Sequence, residues 1–367
     1  MRAEIDPSCF PSSYPLARAN LLQGLAKFPV TLLREHQAFL HPLPCPEQQP
    51  LYLDWLKLGQ SDTPQRVLVL ICATHGVEGF AGAAVLAHSL RTLATQLDRD
   101  PQLGVILIHG LNPWGFAWLR RYDHENIDLN RNFIEFSRPL PESTEYDGLH
   151  NDLFRASRHS PGEILDERLK HSSREAFTAT VTRGQYQHAD GLFYGGNHAS
   201  WSRQILEQAC DTPFLQQAAR IAVIDVHTGL GPFGHGEVIN DHEPGSAGFE
   251  LARQWYGDNA QSALLGESCS SPKRGLLDYF WHKLMGARGC FVTLEFGTYS
   301  ADNLLIALIE EQRYQNRCAA QGEARDPSHP TVTALRDFFY PQDNSWRELV
   351  LFRASQIIGL ALRGLQQ

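Results

Sequence analysis

Four runs of consecutive apolar residues constrain the fold more than any other feature of this chain. They are RVLVLICA (66–73), GVILIHG (104–110), IAVIDV (221–226) and CFVTLEF (290–296). A strand with one wet face alternates apolar and polar side chains. A strand buried on both faces reads as an unbroken apolar run, the pattern of a parallel sheet covered on both sides. Between the first two runs, FAGAAVLAHSLRTLATQL (80–97) has helical periodicity, giving strand, helix, strand. YLDWLKL (52–58) alternates in period two, as a half-exposed edge strand does. Helices are expected near 16–40 and over 346–365. The expected fold class is α/β, with a mixed, mostly parallel central sheet and helices on both faces. Residues 1–50 are expected to form an N-terminal extension packed on a single domain of residues 51–367. A large insert at about 136–220 interrupts that domain: residues 136–200 are polar, His- and Gly-rich and without clear periodicity, and long irregular stretches in compact folds are often functional.

At 367 residues and 43% hydrophobic, the chain has ample material for a core. A net charge of −9 argues against a nucleic-acid partner, which a basic face usually serves. No stretch of about 18 apolar residues is present, so no membrane span is expected. The first residues, MRAEIDPSCF, lack the apolar core of a signal peptide. The seven cysteines form no C-x-x-C pair, and their number is odd, which suits a reducing compartment. A cytoplasmic protein is expected.

Ligands of such sheets bind beyond the carboxyl ends of the strands, and four polar clusters fall there. His75 and Glu78 follow the first run, spaced so that imidazole and carboxylate can converge on one metal ion. Alone, H-x-x-E is more often a solvated loop pair. His227 lies just past the third run and is followed by Gly229 and Gly231, which suits a third ligand. Catalytic zinc takes three protein ligands and leaves a fourth position open. Glu295 ends the fourth run, where a carboxylate beside a metal can serve as general base. The segment NPWGFAWLRRYDHENIDLNRNF (112–133) follows the second run, and its arginines and amides are suited to gripping a carboxylate.

Taken together, H-x-x-E, N-P-x-G, D-x-N-R-N, strand-His and strand-Glu resemble the zinc carboxypeptidase superfamily over roughly residues 66–300. That superfamily includes the digestive carboxypeptidases and the aspartoacylase and succinylglutamate desuccinylase branch. The likeness is nearest to a bacterial branch with HGVEGFAG, NPxGFAWLRR and HTGLGPxGHGE signatures. The resemblance implies one Zn2+ per chain, held by His75, Glu78 and His227, with Glu295 as the catalytic glutamate. It implies that Asn130 and Arg131 bind the substrate's carboxylate and that Asp128 orients the first zinc histidine. Arg121 is expected to polarise the scissile carbonyl, with Arg120 its close rival for contact with substrate. The implied partner is a peptide or an N-acyl amino acid with a free carboxylate. Carboxypeptidase and deacylase need the same metal site and clamp, so the motifs do not separate them, and a non-catalytic metal- or ligand-binding protein is the reading from a different class. The digestive enzymes also use a mobile tyrosine upstream of the glutamate. Neither Tyr279 nor Tyr256 sits in a matching motif, and neither is assigned. His124, His188, His198 and His235 lie near the motifs and are expected to be surface or hydrogen-bonding residues.

Overall fold

The computed structural model describes residues 9–155 and 159–367. Eight strands form one sheet: β1 Leu33–Leu40, β2 Tyr52–Gly59, β3 Arg66–Cys72, β4 Leu103–His109, β5 Arg220–Gly229, β6 Gly236–Ile239, β7 Ala260–Gln261 and β8 Gly289–Gly297. Their order is β1-β2-β4-β3-β5-β8-β6-β7. The interior pairs β4/β3, β3/β5 and β5/β8 are parallel, as is β6/β7 at one edge. The pairs β1/β2, β2/β4 and β6/β8 are antiparallel. The four interior strands are the four apolar runs, and the sheet is mixed and mostly parallel, as expected.

Burial explains why these runs do not alternate. Val67, Val69 and Ile71 of β3 face one core cluster, and Leu68, Leu70 and Cys72 face another. Helices Tyr14–Ala26, Gly79–Arg99, Ala247–Tyr256 and Asn344–Gly364 cover one face; helices Trp201–Cys210 and Asp278–Met285 cover the other. Each fully buried Leu, Ile or Val contributes about 1.5–3 kcal/mol relative to exposure, so both faces must be covered. The last helix is tied to the end of β8 by the Trp346 indole N–H, which donates to the Gly297 carbonyl at 2.9 Å.

Two local expectations are corrected. The helix expected near 16–40 ends at Ala26, short of Pro29, and the chain re-enters the sheet as β1. β2 is consequently not an edge strand: β1 covers its outer side, and the polar residue Asp54 is fully buried against Arg18 and His36. The segment 136–200 carries helices Thr144–His150, Pro161–Leu169 and Arg174–Thr182. With helices Ala301–Gln321 and Pro330–Phe339 they build a third apolar cluster, including Leu149, Phe177, Phe193, Leu308 and Phe339. No helix among the described residues is long and apolar enough to cross a membrane.

Candidate metal centre

The carboxyl ends of β3, β5 and β8 meet at one rim, and the backbone dictates which side chains share it. After β3 the chain turns through Ala73, whose positive φ of 62° is uncommon for a residue with a Cβ, into the short turn Gly76–Glu78. Gly76 is required there, because a Cβ would stand 2.0 Å from the Gly115 carbonyl carbon. That close approach, with Val77 N–H donating to Arg120 O at 2.8 Å, locks the His75–Glu78 turn onto the NPWGF segment. On the next strands, His227 and Glu295 are Cα partners in the β5/β8 register, so both project to the same face.

His75 Nδ1 lies 3.1 Å from His227 Nδ1 and 2.9 Å from Glu78 Oε1, and His227 Nδ1 lies 3.0 Å from Glu78 Oε2. These three residues are buried and can together hold one metal ion. Bonds of about 2.0–2.1 Å in a tetrahedral zinc site set neighbouring donors about 3.3 Å apart. The observed distances are within a few tenths of that, the two imidazoles meeting different oxygens of the Glu78 carboxylate, and two imidazoles with one carboxylate are an ordinary zinc donor set. The residues therefore fit the metal.

The outward nitrogen of each imidazole meets a carboxylate. His75 Nε2 is 3.2 Å from Asp128 Oδ1, and His227 Nε2 is 2.7 Å from Asp225 Oδ2. Such pairs hold the ring and keep the inward nitrogen free to bind metal. Thr74 Oγ1 donates to both Asp225 oxygens, at 2.9 and 2.8 Å. Burial disfavours charge on Asp128, but Arg121 and His75 outweigh it and hold its carboxyl well below the usual carboxylate range. Burial and the nearby Glu78 charge push the Glu295 carboxyl up to about 7. Its Oε1 accepts from Leu230 N–H at 2.9 Å.

The two candidate arginines part company. Arg121 reaches Glu78 Oε1 at 3.1 Å, Asp128 Oδ2 at 3.0 Å and His75 Nε2 at 2.7 Å, and it lines the cavity. Arg120 is turned away. It is 1% exposed, its Nε donates to Glu311 Oε1 at 2.9 Å, and its Nη2 donates to Asn126 Oδ1 and Gln312 Oε1, both at 2.9 Å. The expected contact of Arg120 with substrate is corrected on that ground: its donors are committed to a buried polar network. Asn130 lines the cavity with Oδ1 accepting from Leu277 N–H at 2.8 Å, which leaves its amide nitrogen without a partner among the described residues.

The cavity around these groups is narrow, about 90 Å3. The segment 136–200 closes part of it with Thr182 and Phe193, and the guanidinium carbons of Arg121 and Arg131 lie 5.1 and 5.4 Å from the Phe193 ring centroid. His124, His188, His198 and His235 are not among its lining residues. Two residues of the site escape a reading by motif. Asp225 was in view as part of a buried strand, and the signal that finds it is an acid two residues before His227, on the same strand face. Lys273 lines the cavity from an irregular loop, SPKRG (271–275), that carries no periodic cue.

Known structures place this architecture. Carboxypeptidase A from Helicoverpa armigera superposes with a TM-score of 0.51 at 12% identity, covering 99% of this chain and 76% of that one. Bovine thrombin-activatable fibrinolysis inhibitor matches with a TM-score of 0.44 at 12% identity over 95% of this chain and 97% of that one. A metallo-carboxypeptidase from Burkholderia cenocepacia matches with a TM-score of 0.40 at 14% identity over 78% of this chain and 60% of that one. The fold is thus the carboxypeptidase-like α/β fold. None of the curated proteins matches the sequence. The chain belongs to the family described as "Protein of unknown function (DUF2817)", whose model matches residues 10–353.

Proposed function

We propose that this protein is a zinc-dependent hydrolase of amide bonds, carboxypeptidase-like, acting on substrates that carry a free carboxylate. The observation that carries this reading is the triangle of His75, Glu78 and His227 donor atoms, with Glu295 in register one strand away. His75, Glu78 and His227 would hold the ion, which when bound supplies a Lewis acid that polarises a carbonyl and acidifies water.

The remaining chemistry belongs to the chain. Glu295 takes a proton from the attacking water and passes it to the leaving amine. Arg121 donates hydrogen bonds to the carbonyl oxygen as charge develops on it, an effect typically of a few kcal/mol. Asp128 and Asp225 fix the two imidazoles. The Asn130 amide, held by Leu277, presents donors to the substrate carboxylate. Arg131 adds positive charge to the same corner.

A second reading, deacylation of small N-acyl amino acids, gains support from the narrow, insert-lined cavity, which favours a short substrate over a long peptide. Dipeptides, longer peptides and N-acyl amino acids offered to the zinc-loaded protein test both readings. Release of C-terminal residues supports the peptidase, and release of the acyl group alone supports the deacylase. No hydrolysis of any class contradicts both. Glu295→Gln is expected to keep its zinc and lose about 10²–10⁴-fold in turnover. Turnover equal to wild type would remove Glu295 from the mechanism.

A further inference from the structure

We propose that Lys273 is the cation that receives the substrate's free carboxylate, beside the Asn130 amide, while Arg131 chiefly holds the insert against the site. This rests on the reading of the site as one for carboxylate-bearing substrates.

Arg131 is fully buried and commits three of its five N–H donors to backbone carbonyls. Its Nε and Nη2 both donate to the Thr182 carbonyl at 3.0 and 2.7 Å, and its Nη1 donates to the Asn130 carbonyl at 2.6 Å. Lys273 is differently placed. It is half-buried and lines the cavity, and its ammonium donates to Ser270 Oγ and, at 2.8 Å, to Ser271 O. An ammonium has three donors, so one remains. Asp241, Glu295 and Asp278 are acids near enough to act on it electrostatically, yet it forms no ion pair with any of the described residues. Burial and the neighbouring Arg131 pull its proton affinity down to about 8. Two cations are thus held near each other in a cavity without a counter-ion bound to Lys273, and an arriving carboxylate relieves that repulsion.

The loop is built to keep Lys273 there. Gly275 has φ +67°, and a Cβ on it would stand 2.2 Å from the Arg131 carbonyl oxygen, so the loop lies directly on the Asn130–Arg131 segment. Phe133 N–H donates to Gly275 O at 3.0 Å and Arg274 N–H to Arg183 O at 3.0 Å. Among the described residues, no tyrosine lines the cavity. Tyr279 is 42% exposed, and its hydroxyl donates to Lys273 O at 3.1 Å. Lys273, unlike the fully buried Arg131, thus presents a partly exposed cation at this wall of the site.

The test reads binding, with turnover blocked by Glu295→Gln. N-acetylphenylalanine and its C-terminal amide are titrated calorimetrically into that protein and into the same protein carrying Lys273→Met. The acid is expected to bind at least about tenfold more tightly than the amide in the parent, with most of that preference lost in Lys273→Met. Lys273→Arg is expected to restore part of it. Lys273→Gln, which keeps a donor toward Ser271 without the charge, serves as a second neutral variant should Lys273→Met fold poorly. An unchanged preference in a neutral variant of unaltered melting temperature overturns the proposal, as does a parent that binds acid and amide alike. Failure of the hydrolase reading looks different: the acid preference persists while the wild-type protein turns over nothing.

Discussion

Asp128 and Asp225 stand in equivalent places, each against the outward nitrogen of one histidine, yet only one is legible in the sequence. Asp128 stands inside IDLNRNF, a motif that carries its role with it. Asp225 stands inside an apolar run, where it reads as one polar interruption of a strand; its place two residues before His227 is the one local signal, and the pairing with His227 Nε2 gives it its part. Asp225→Asn is expected to weaken zinc affinity about 10–100-fold with little change in fold, as judged by competition against a calibrated chelator. Unchanged affinity would assign Asp225 to packing alone. Arg120 teaches the converse: sequence adjacency to Arg121 says nothing about direction. In the structure it shares Glu311 with Arg325, at 2.9 and 2.6 Å. Arg120→Met is expected to cost roughly 3 kcal/mol in chemical denaturation, because it strands buried polar partners, while leaving KM within about twofold of wild type. A large KM effect with intact stability would return Arg120 to the substrate.

At the scale of elements, the four interior strands and the helix Gly79–Arg99 were readable because burial on both faces and 3.6-residue periodicity are strong local signals. β1 was not. LREHQAFL puts Glu35, His36 and Gln37 in the middle of an edge strand whose side chains are largely exposed, so no apolar pattern marks it. β6 and β7 are four and two residues long, too short to show a period. β2 reads as a half-exposed edge strand because YLDWLKL alternates in period two; a partner strand and an ion pair, invisible in one dimension, bury Asp54. The junction of the His75–Glu78 turn with the NPWGF segment makes a test at this scale. Gly76→Ala forces a Cβ into the Gly115 backbone and is expected to cost at least about 1–3 kcal/mol and to lower zinc affinity as well. Loss of stability with zinc affinity intact would separate the turn from the metal site.

For the whole molecule, the buried carboxylate next to Glu78 links folding to pH. Glu295 sits at about 7 in the folded, metal-free protein, above its ordinary 4.5. The folded state thus favours the neutral acid, and this contribution is fully present below about 4.5 and is lost as pH rises through about 7. The melting temperature of metal-free protein is expected to decline as pH rises through that range, and Glu295→Gln to flatten the decline. An identical profile in the variant would place the titration elsewhere. Zinc, binding only the folded chain, is expected to raise the melting temperature in proportion to the logarithm of its free concentration. The proposed chemistry depends on the metal. The most direct measurement is therefore the metal content of the purified chain by mass spectrometry, for wild type and His227→Ala side by side after identical zinc loading and desalting. The account predicts one zinc per chain in wild type and almost none in His227→Ala. Wild type without zinc, or a stoichiometric signal in His227→Ala, would contradict it.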